Sequence, residues 1–353
     1  MALNFIAAER LIHSLKTAIA ASAAYLLALL IGQPADQWIV ISVMVVMCAQ
    51  IYVGSIIQKS YLRLLGTLLG CLTATATILF LNHSVLAIFA SIALASFMFS
   101  YIATIKDSYS QMGTLGAVTT IIILFGNPPT LGLALNRFLE ISVGIVIAAL
   151  VSQFIFPIHA RTHLRRAQAT TLGQIKQYFS EAVTERFADD KTINNDLDEV
   201  IVKSLLIQRQ LAKDSATELM GKRFDSDHFA RTLYCEREVL RAINFMDIAL
   251  GSMPSAHTIY TAPNPLAALT SAITSSLDVL VHVLKTNRQA GAHIHLPLRP
   301  ELTEALLQRT QGLPAAEQVY LDGFIFAAEV LITNLRELAL LYNLPVTPAP
   351  LPS

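Results

Sequence analysis

The strongest constraint in this chain is a run without charge. Residues 64–81, LLGTLLGCLTATATILFL, are eighteen consecutive positions with no Asp, Glu, Lys or Arg. A helix of that length rises about 27 Å, within a few ångströms of the hydrocarbon thickness of a bilayer. The run predicts a membrane span over residues 59–81, entered past Lys59 and Arg63. Its small residues Gly66, Gly70, Thr73, Ala74 and Thr77 recur at helical spacing, and Gly66 with Gly70 makes a GxxxG face that lets another helix come close. Arg63 lies on that stripe three residues before Gly66, which aims its guanidinium toward a helix contact and away from lipid.

Charge divides the rest of the chain. Residues 1–159 carry six Lys/Arg and four Asp/Glu, whereas residues 160–353 carry nineteen and twenty-one. The first block predicts a transmembrane domain over 1–159, the second a cytoplasmic helical domain over 160–344, and four prolines predict an extended, disordered tail over 345–353. Residues 1–14 alternate apolar and polar side chains at helical spacing, as an interfacial helix does. Five further spans are expected over 17–31, 37–55, 85–105, 108–125 and 131–156, with breaks at 32–34, 82–84 and GNPPT at 126–130. The first run lacks a convincing small-x-small cleavage site after it, so it reads as a retained span. Trp38, the only tryptophan, opens the second span where an amphipathic ring suits the membrane boundary.

Basic residues near the span ends, Arg10, Lys16, Lys59, Arg63, Lys106, Arg161, Arg165 and Arg166, all fall on one side, which puts both termini in the cytoplasm. A weak repeat is visible. Lys59, Tyr61, Gly66 and Thr67 are echoed by Lys106, Tyr109, Gly113 and Thr114, and Lys16 opens the first hairpin in a corresponding place. Three parallel helix pairs describe this pattern most simply. Beyond residue 161, apolar stripes mark helices around 197–212, 233–250, 266–284 and 324–342, with no strand signal, so the fold class is all-α.

Two ionisable residues sit inside the last span. Arg137 and Glu140 share one face at i, i+3, well inside the apolar stretch, where a central Arg costs on the order of 3 kcal/mol. They read either as an internal salt bridge that fixes packing or as a charged site lining a pathway. In the second reading Arg137 and Arg63, with Thr67, bind an anion and Glu140 carries a proton. Gly144 follows Arg137 by seven residues, as Gly70 follows Arg63, placing each arginine beside a close helix contact formed by Gly66, Gly70 and Gly144. Snorkelling at the boundary would equally explain Lys59 and Arg63. Lys106 with Asp107 reads as a turn.

Other chemistry has little support. Zero net charge and no basic patch argue against a nucleic-acid partner, and three scattered cysteines against a disulfide framework. His293 and His295 form HxH in a proline-flanked loop without further ligands, so no metal site is expected. Neither GxxxxGK[ST], GxSxG nor HExxH occurs. No cofactor and no enzymatic step are implied, and Arg231, Arg237 and Arg241 read as a solvated helix face.

Three stretches in order carry a family resemblance: WIVIS from Trp38, YLRLLGTLLGC from Tyr61, and NRFLEISVGI from Asn136 on to Pro157. They resemble the fusaric acid resistance family and, within it, the aromatic carboxylic acid efflux pumps, with a fainter match over 237–242. The resemblance implies an inner-membrane exporter of aromatic or other lipophilic carboxylates, often working with a periplasmic membrane fusion protein. The family is also similar to plant aluminium-activated malate channels, which makes an anion channel the rival reading and a non-transporting scaffold a third. Many family pumps are about twice this length, so a homodimer is expected.

Overall fold

Long stretches rich in Leu, Ala, Ile and Val, with few internal glycines or prolines, form helices, and eleven occur among the described residues of this computed structural model. The structure describes residues 2–31, 37–48, 50–80, 85–126, 129–184, 196–220, 223–254, 265–289, 291–297 and 314–349. The breaks expected at 32–34 and 82–84, part of that at 126–130, and residues 81 and 350–353 lie outside them. Two compact units result, Met1–Ala160 with Lys213–Lys222, and Arg161–Ala212 with Arg223–Ser353.

The first unit holds α1 (Ala2–Leu30), α2 (Gln37–Met47), α3 (Val53–Phe80), α4 (Val85–Ile105), α5 (Ser110–Leu124) and α6 (Leu131–Phe154). Thr130 caps α6, its hydroxyl accepting from the Leu133 N–H at 3.2 Å. Neighbours in space are not neighbours in sequence: α5 packs between α3 and α4, and α6 lies against α3, α2 and α1. The helices paired by the sequence repeat, α3 and α5, therefore meet along much of their length. The Lys106–Asp107 break is a single 3₁₀ turn, Asp107–Tyr109, with the Lys106 ammonium over the Tyr109 ring.

What faces outward in this unit is apolar. On α4 the buried side chains of Ser91, Ala95 and Phe99 make one narrow stripe, while Val85, Leu86, Phe89 and Phe97 are largely exposed. A water-facing helix has the opposite pattern, so the surface fits hydrocarbon. Four of the six helices are long and apolar enough to cross a membrane.

The second span departs from expectation. A continuous helix over 37–55 is predicted, but α2 stops at Met47, and α3 begins at Val53, six residues before Lys59. The Cys48 N–H closes the last turn on Met44, and the Val53 N–H is satisfied by the Ile158 carbonyl at 3.1 Å, so the chain can restart without an orphan donor there. With eleven residues α2 is about 16 Å long, half a span.

The second unit holds α7 (Ala160–Phe179, continued by a π turn, Ser180–Thr184), α8 (Asp196–Ala216, whose end belongs to the first unit), α9 (Ser226–Gly251), α10 (Pro265–Thr286) and α11 (Ala315–Leu341). Asp225 caps α9 by accepting from the Asp227 and His228 N–H groups. Asn343, with φ of 54°, ends α11, and Leu344 donates back to Ala339 at 2.8 Å, closing a Schellman motif. The core runs from Leu172, Ile175 and Phe179 through Ile201, Ile243 and Met246 to Leu331 and Leu335. By length and composition α10 could also span a membrane. Its apolar stripe, Leu269, Ile273, Leu277 and Leu280, is however buried in this core while Ser271, Ser275, Asp278 and His282 face out, as in a bundle helix.

Two corrections concern strands and the tail. The fold class is all-α as expected, but two short strands are added to it, β1 (Ile294–Leu296) and β2 (Val346–Pro348), which pair in parallel with Ile294 opposite Val346. The start of the tail is thus extended, as four prolines require, but hydrogen-bonded: Ile294 donates to Pro345, and Ala349 to Leu296. The paired segment supplies β1 with acceptors, while its prolines have no N–H that would need one.

Candidate functional site

The short helix α2 organises the polar residues of the first unit. Its buried face, Ile39, Val43, Val46 and Met47, joins a core with Ala20, Ala24 and Ala28 of α1, Ile56 of α3, and Ile141, Ile145 and Ala148 of α6. Around this core three other helices each present a basic side chain to a different level of α2.

At the first level stands Arg137 of α6, its guanidinium 4.8 Å from the centre of the Trp38 ring and its Nη1 donating to Glu140 Oε2 at 2.6 Å. Both side chains are mostly buried, and both make further interactions. The i, i+3 spacing lets the carboxylate neutralise the guanidinium, and the indole face adds to it. Arg137 is therefore compensated from within the protein.

One turn further, about 6 Å of rise, is Ser42. Its hydroxyl accepts from Nη2 of Arg63 at 3.2 Å. Arg63 is 2% exposed, and its Nε and Nη1 find no acceptor among the described residues. Thr67 and Ser60, one turn to either side on α3, are buried with hydroxyls that likewise lack partners there. Lys59 precedes Arg63 by one turn, so the positive charge continues along this face.

At the third level the imidazole of His13 faces the Met47 carbonyl at the end of α2. Lys16, three residues on, is completely buried, and its ammonium has no partner among the described residues. Free carbonyls at a helix C-terminus favour a cation, but by only about 1 kcal/mol. That is small against the several kcal/mol of desolvating an ammonium.

The glycines set the distances between the helices. A side chain at Gly66 would overlap the Met112 carbonyl of α5, and one at Gly70 would come within 2.6 Å of the Gly116 carbonyl. At Gly144 it would run into the Ile39 carbonyl and the Ser42 Cβ. The last contact matters for the site, because it lets α6 lie directly beside the serine that holds Arg63.

The structure thus brings Arg63, Thr67, Arg137, Glu140 and the three glycines around α2 and α3, with the two arginines one helical turn apart along α2. It adds Lys16, His13 and Ser42, which sequence reasoning used only as topology markers or not at all. One signal was present: Lys16 precedes Ala20, Ala24 and Ala28 at intervals of four, on the close-packing face of α1. His293 and His295 belong to the second unit, on β1 and its flank, and no three His, Cys, Asp or Glu side chains cluster as a metal site among the described residues.

Comparison with known proteins agrees with this architecture. The profile of the Fusaric acid resistance protein family matches residues 10–341. The chain is also similar to Inner membrane protein YeeA of Escherichia coli (strain K12), with 22% identity over 206 residues. That match covers 58% of this chain and 58% of the relative.

Proposed function

The chain belongs to the fusaric acid resistance protein family, and from that premise we propose that it exports aromatic or other lipophilic carboxylic acids across the bacterial inner membrane. Membrane transport is the family's activity; the substrate class, the proton drive and the roles of single residues are our reading. One observation carries it: Arg63 and Lys16 are buried cations to which the described residues offer no carboxylate. A guanidinium does not lose its proton at physiological pH, so it needs an anion beside it, and a carboxylate substrate supplies one.

The three levels of α2 divide the work. His13 and Lys16 stand at the end nearer the cytoplasm, since both termini are taken as cytoplasmic, and they draw the carboxylate from that side. Arg63 binds it with two of its donors, helped by the Thr67 hydroxyl, while the apolar body lies against aliphatic neighbours. Arg137 is the exit level. Protonation of Glu140 from the outer side loosens its hold on Arg137, which then competes for the substrate; release of that proton to the cytoplasmic side restores the ion pair and expels the anion outward. Proton entry and acid exit are coupled in this way without any covalent step. Gly66, Gly70 and Gly144 provide the close contacts against which the helices move. A homodimer, with a periplasmic membrane fusion protein receiving the acid, completes the proposal.

Everted vesicles or proteoliposomes test it. With 2-naphthoate as substrate and an acidic lumen, everted vesicles holding the intact protein accumulate the acid, and Arg63→Gln lowers the initial rate by about 100-fold, the equivalent of one charged hydrogen-bonded contact of about 3 kcal/mol. Accumulation unchanged by Arg63→Gln overturns the assignment. A passive anion current independent of the gradient replaces the pump by a channel.

A further inference from the structure

The second unit carries an unassigned concave site. A cavity of about 370 Å³ opens between α8 and α9, a size within the range of small-molecule pockets. Its floor is apolar, made by the buried Leu205 and Leu240 with Val202 and Leu206 at the rim. Above that floor stand three guanidinium groups, those of Arg209, Arg237 and Arg241. Among the described residues Arg241 is held by Glu238 at 2.7 Å, whereas Arg209 and Arg237 have no ion-pair partner.

The one acid in the lining is engaged. Asp198 Oδ1 accepts from Asn244 Nδ2 at 3.4 Å, and Asn244 Oδ1 in turn accepts from the Tyr178 hydroxyl at 2.6 Å. The lining therefore has an excess of positive charge beside a greasy floor. Arg209, Arg237 and Arg241 are exposed, so their guanidinium groups are open to an incoming ligand at the edge of the apolar floor. An amphiphilic anion matches both halves: its charged head takes the forked donors of Arg209 and Arg237, and its flat body covers Leu205 and Leu240.

We infer that this cavity is a binding site for a small aromatic or aliphatic organic anion, separate from the residues around α2. It lies entirely within the second unit, and the inference stands whether or not the membrane unit exports such acids.

Photolabelling of the full chain in zwitterionic lipid nanodiscs tests it, with 4-benzoylbenzoate as the probe and peptide mass spectrometry to place the label. The label is expected on α8 and α9 at Leu205, Leu206 or Leu240, and to be suppressed by excess 2-naphthoate but not by neutral 2-naphthamide or inorganic phosphate. In the double variant R209Q/R237Q labelling falls by about tenfold, the worth of a lost charged contact, while the label elsewhere in the chain is unchanged. R209K/R237K, which keeps the charge, retains most of it and guards against a folding artefact. Three results overturn the inference: equal suppression by the amide, equal suppression by phosphate, or labelling that survives R209Q/R237Q. So does a groove that labels only after dilution to monomer, which would make it an interface between copies of this chain.

Discussion

Both units bury ionisable side chains, and they do so in opposite ways. In the second unit Glu236 is completely buried, and Gln208 donates to it at 2.7 Å and to Thr171 at 2.8 Å. Burial pushes the Glu236 carboxyl up to about 8, against the pull of the Gln208 hydrogen bond. At neutral pH this acid can stay neutral, so no counter-charge is needed. In the first unit Arg63 is just as enclosed but has no neutral form to retreat to. A carboxyl can solve burial alone. A guanidinium needs a partner, and where the described protein offers only a serine hydroxyl the partner must come from outside.

The largest effect comes from testing that asymmetry at Lys16. Lys16→Met removes a buried charge that no described group offsets, so transport should fall by about 100-fold while the protein becomes more heat-stable by about 2 to 4 °C. Vesicle uptake and a thermal melt in detergent measure the two together. A melt that drops along with uptake would mean the ammonium is structural, and the comparison would fail on the membrane side.

Glu140→Gln gives the next effect, because it breaks a compensated pair. Arg137 would keep Trp38 but lose its carboxylate, leaving a mostly buried charge at a cost of about 3 kcal/mol. A lower denaturant midpoint with loss of gradient-driven uptake is expected. Retained uptake would remove Glu140 from proton coupling and leave the salt bridge a packing device.

On the other side of the comparison, Glu236 makes stability depend on pH. Below about 4.5 folded and unfolded chains are both protonated there; as pH rises toward 8 the unfolded chain loses the proton and the folded one keeps it, so stability falls across that window and levels off above it. Glu236→Gln should flatten this slope and raise stability at pH 8 by on the order of 2 kcal/mol. Denaturant unfolding of the full chain at pH 5 and pH 8 measures it, and an unchanged slope would show that another group sets it.

The same contrast explains what could be read from residues alone. Charge-free runs such as 64–81 announce spans because no water-soluble helix tolerates them, and the stripe of Leu269, Ile273, Leu277 and Leu280 announces a bundle helix. The restart at Val53 was hidden because Cys48, Ile51 and Tyr52 continue the apolar run, and the donor that frees the chain there is satisfied by Ile158, over a hundred positions away. The pairing of β1 with β2 was hidden for a similar reason, each strand being only three residues long and its partner about fifty positions away. At the site, Arg63 and Arg137 were conspicuous as charges in oil. Lys16 was not, because a lysine near a span end already satisfies the positive-inside rule. Ser42 is one hydroxyl in an apolar run, and only the tertiary fold shows which guanidinium it holds.

The smallest effect sharpens the contrast most simply, since it concerns the same chemistry in water. Lys176 and Asp278 pair at 2.6 Å in the second unit, as close as Arg137 and Glu140 in the first. Asp278 is however 59% exposed and Lys176 35%. Water screens their attraction, and holding two side chains in one geometry costs entropy, so Asp278→Asn should change stability by no more than about 0.5 kcal/mol, less at high salt. The freed ammonium simply hydrates, which Arg137 inside its apolar layer cannot do. Parallel denaturant titrations of Asp278→Asn and Glu140→Gln therefore compare one contact distance in two media. Equal losses would mean that the surroundings of Arg137 are far wetter than its burial indicates, and the cost of an unpaired cation in the membrane unit would no longer call for an anionic guest.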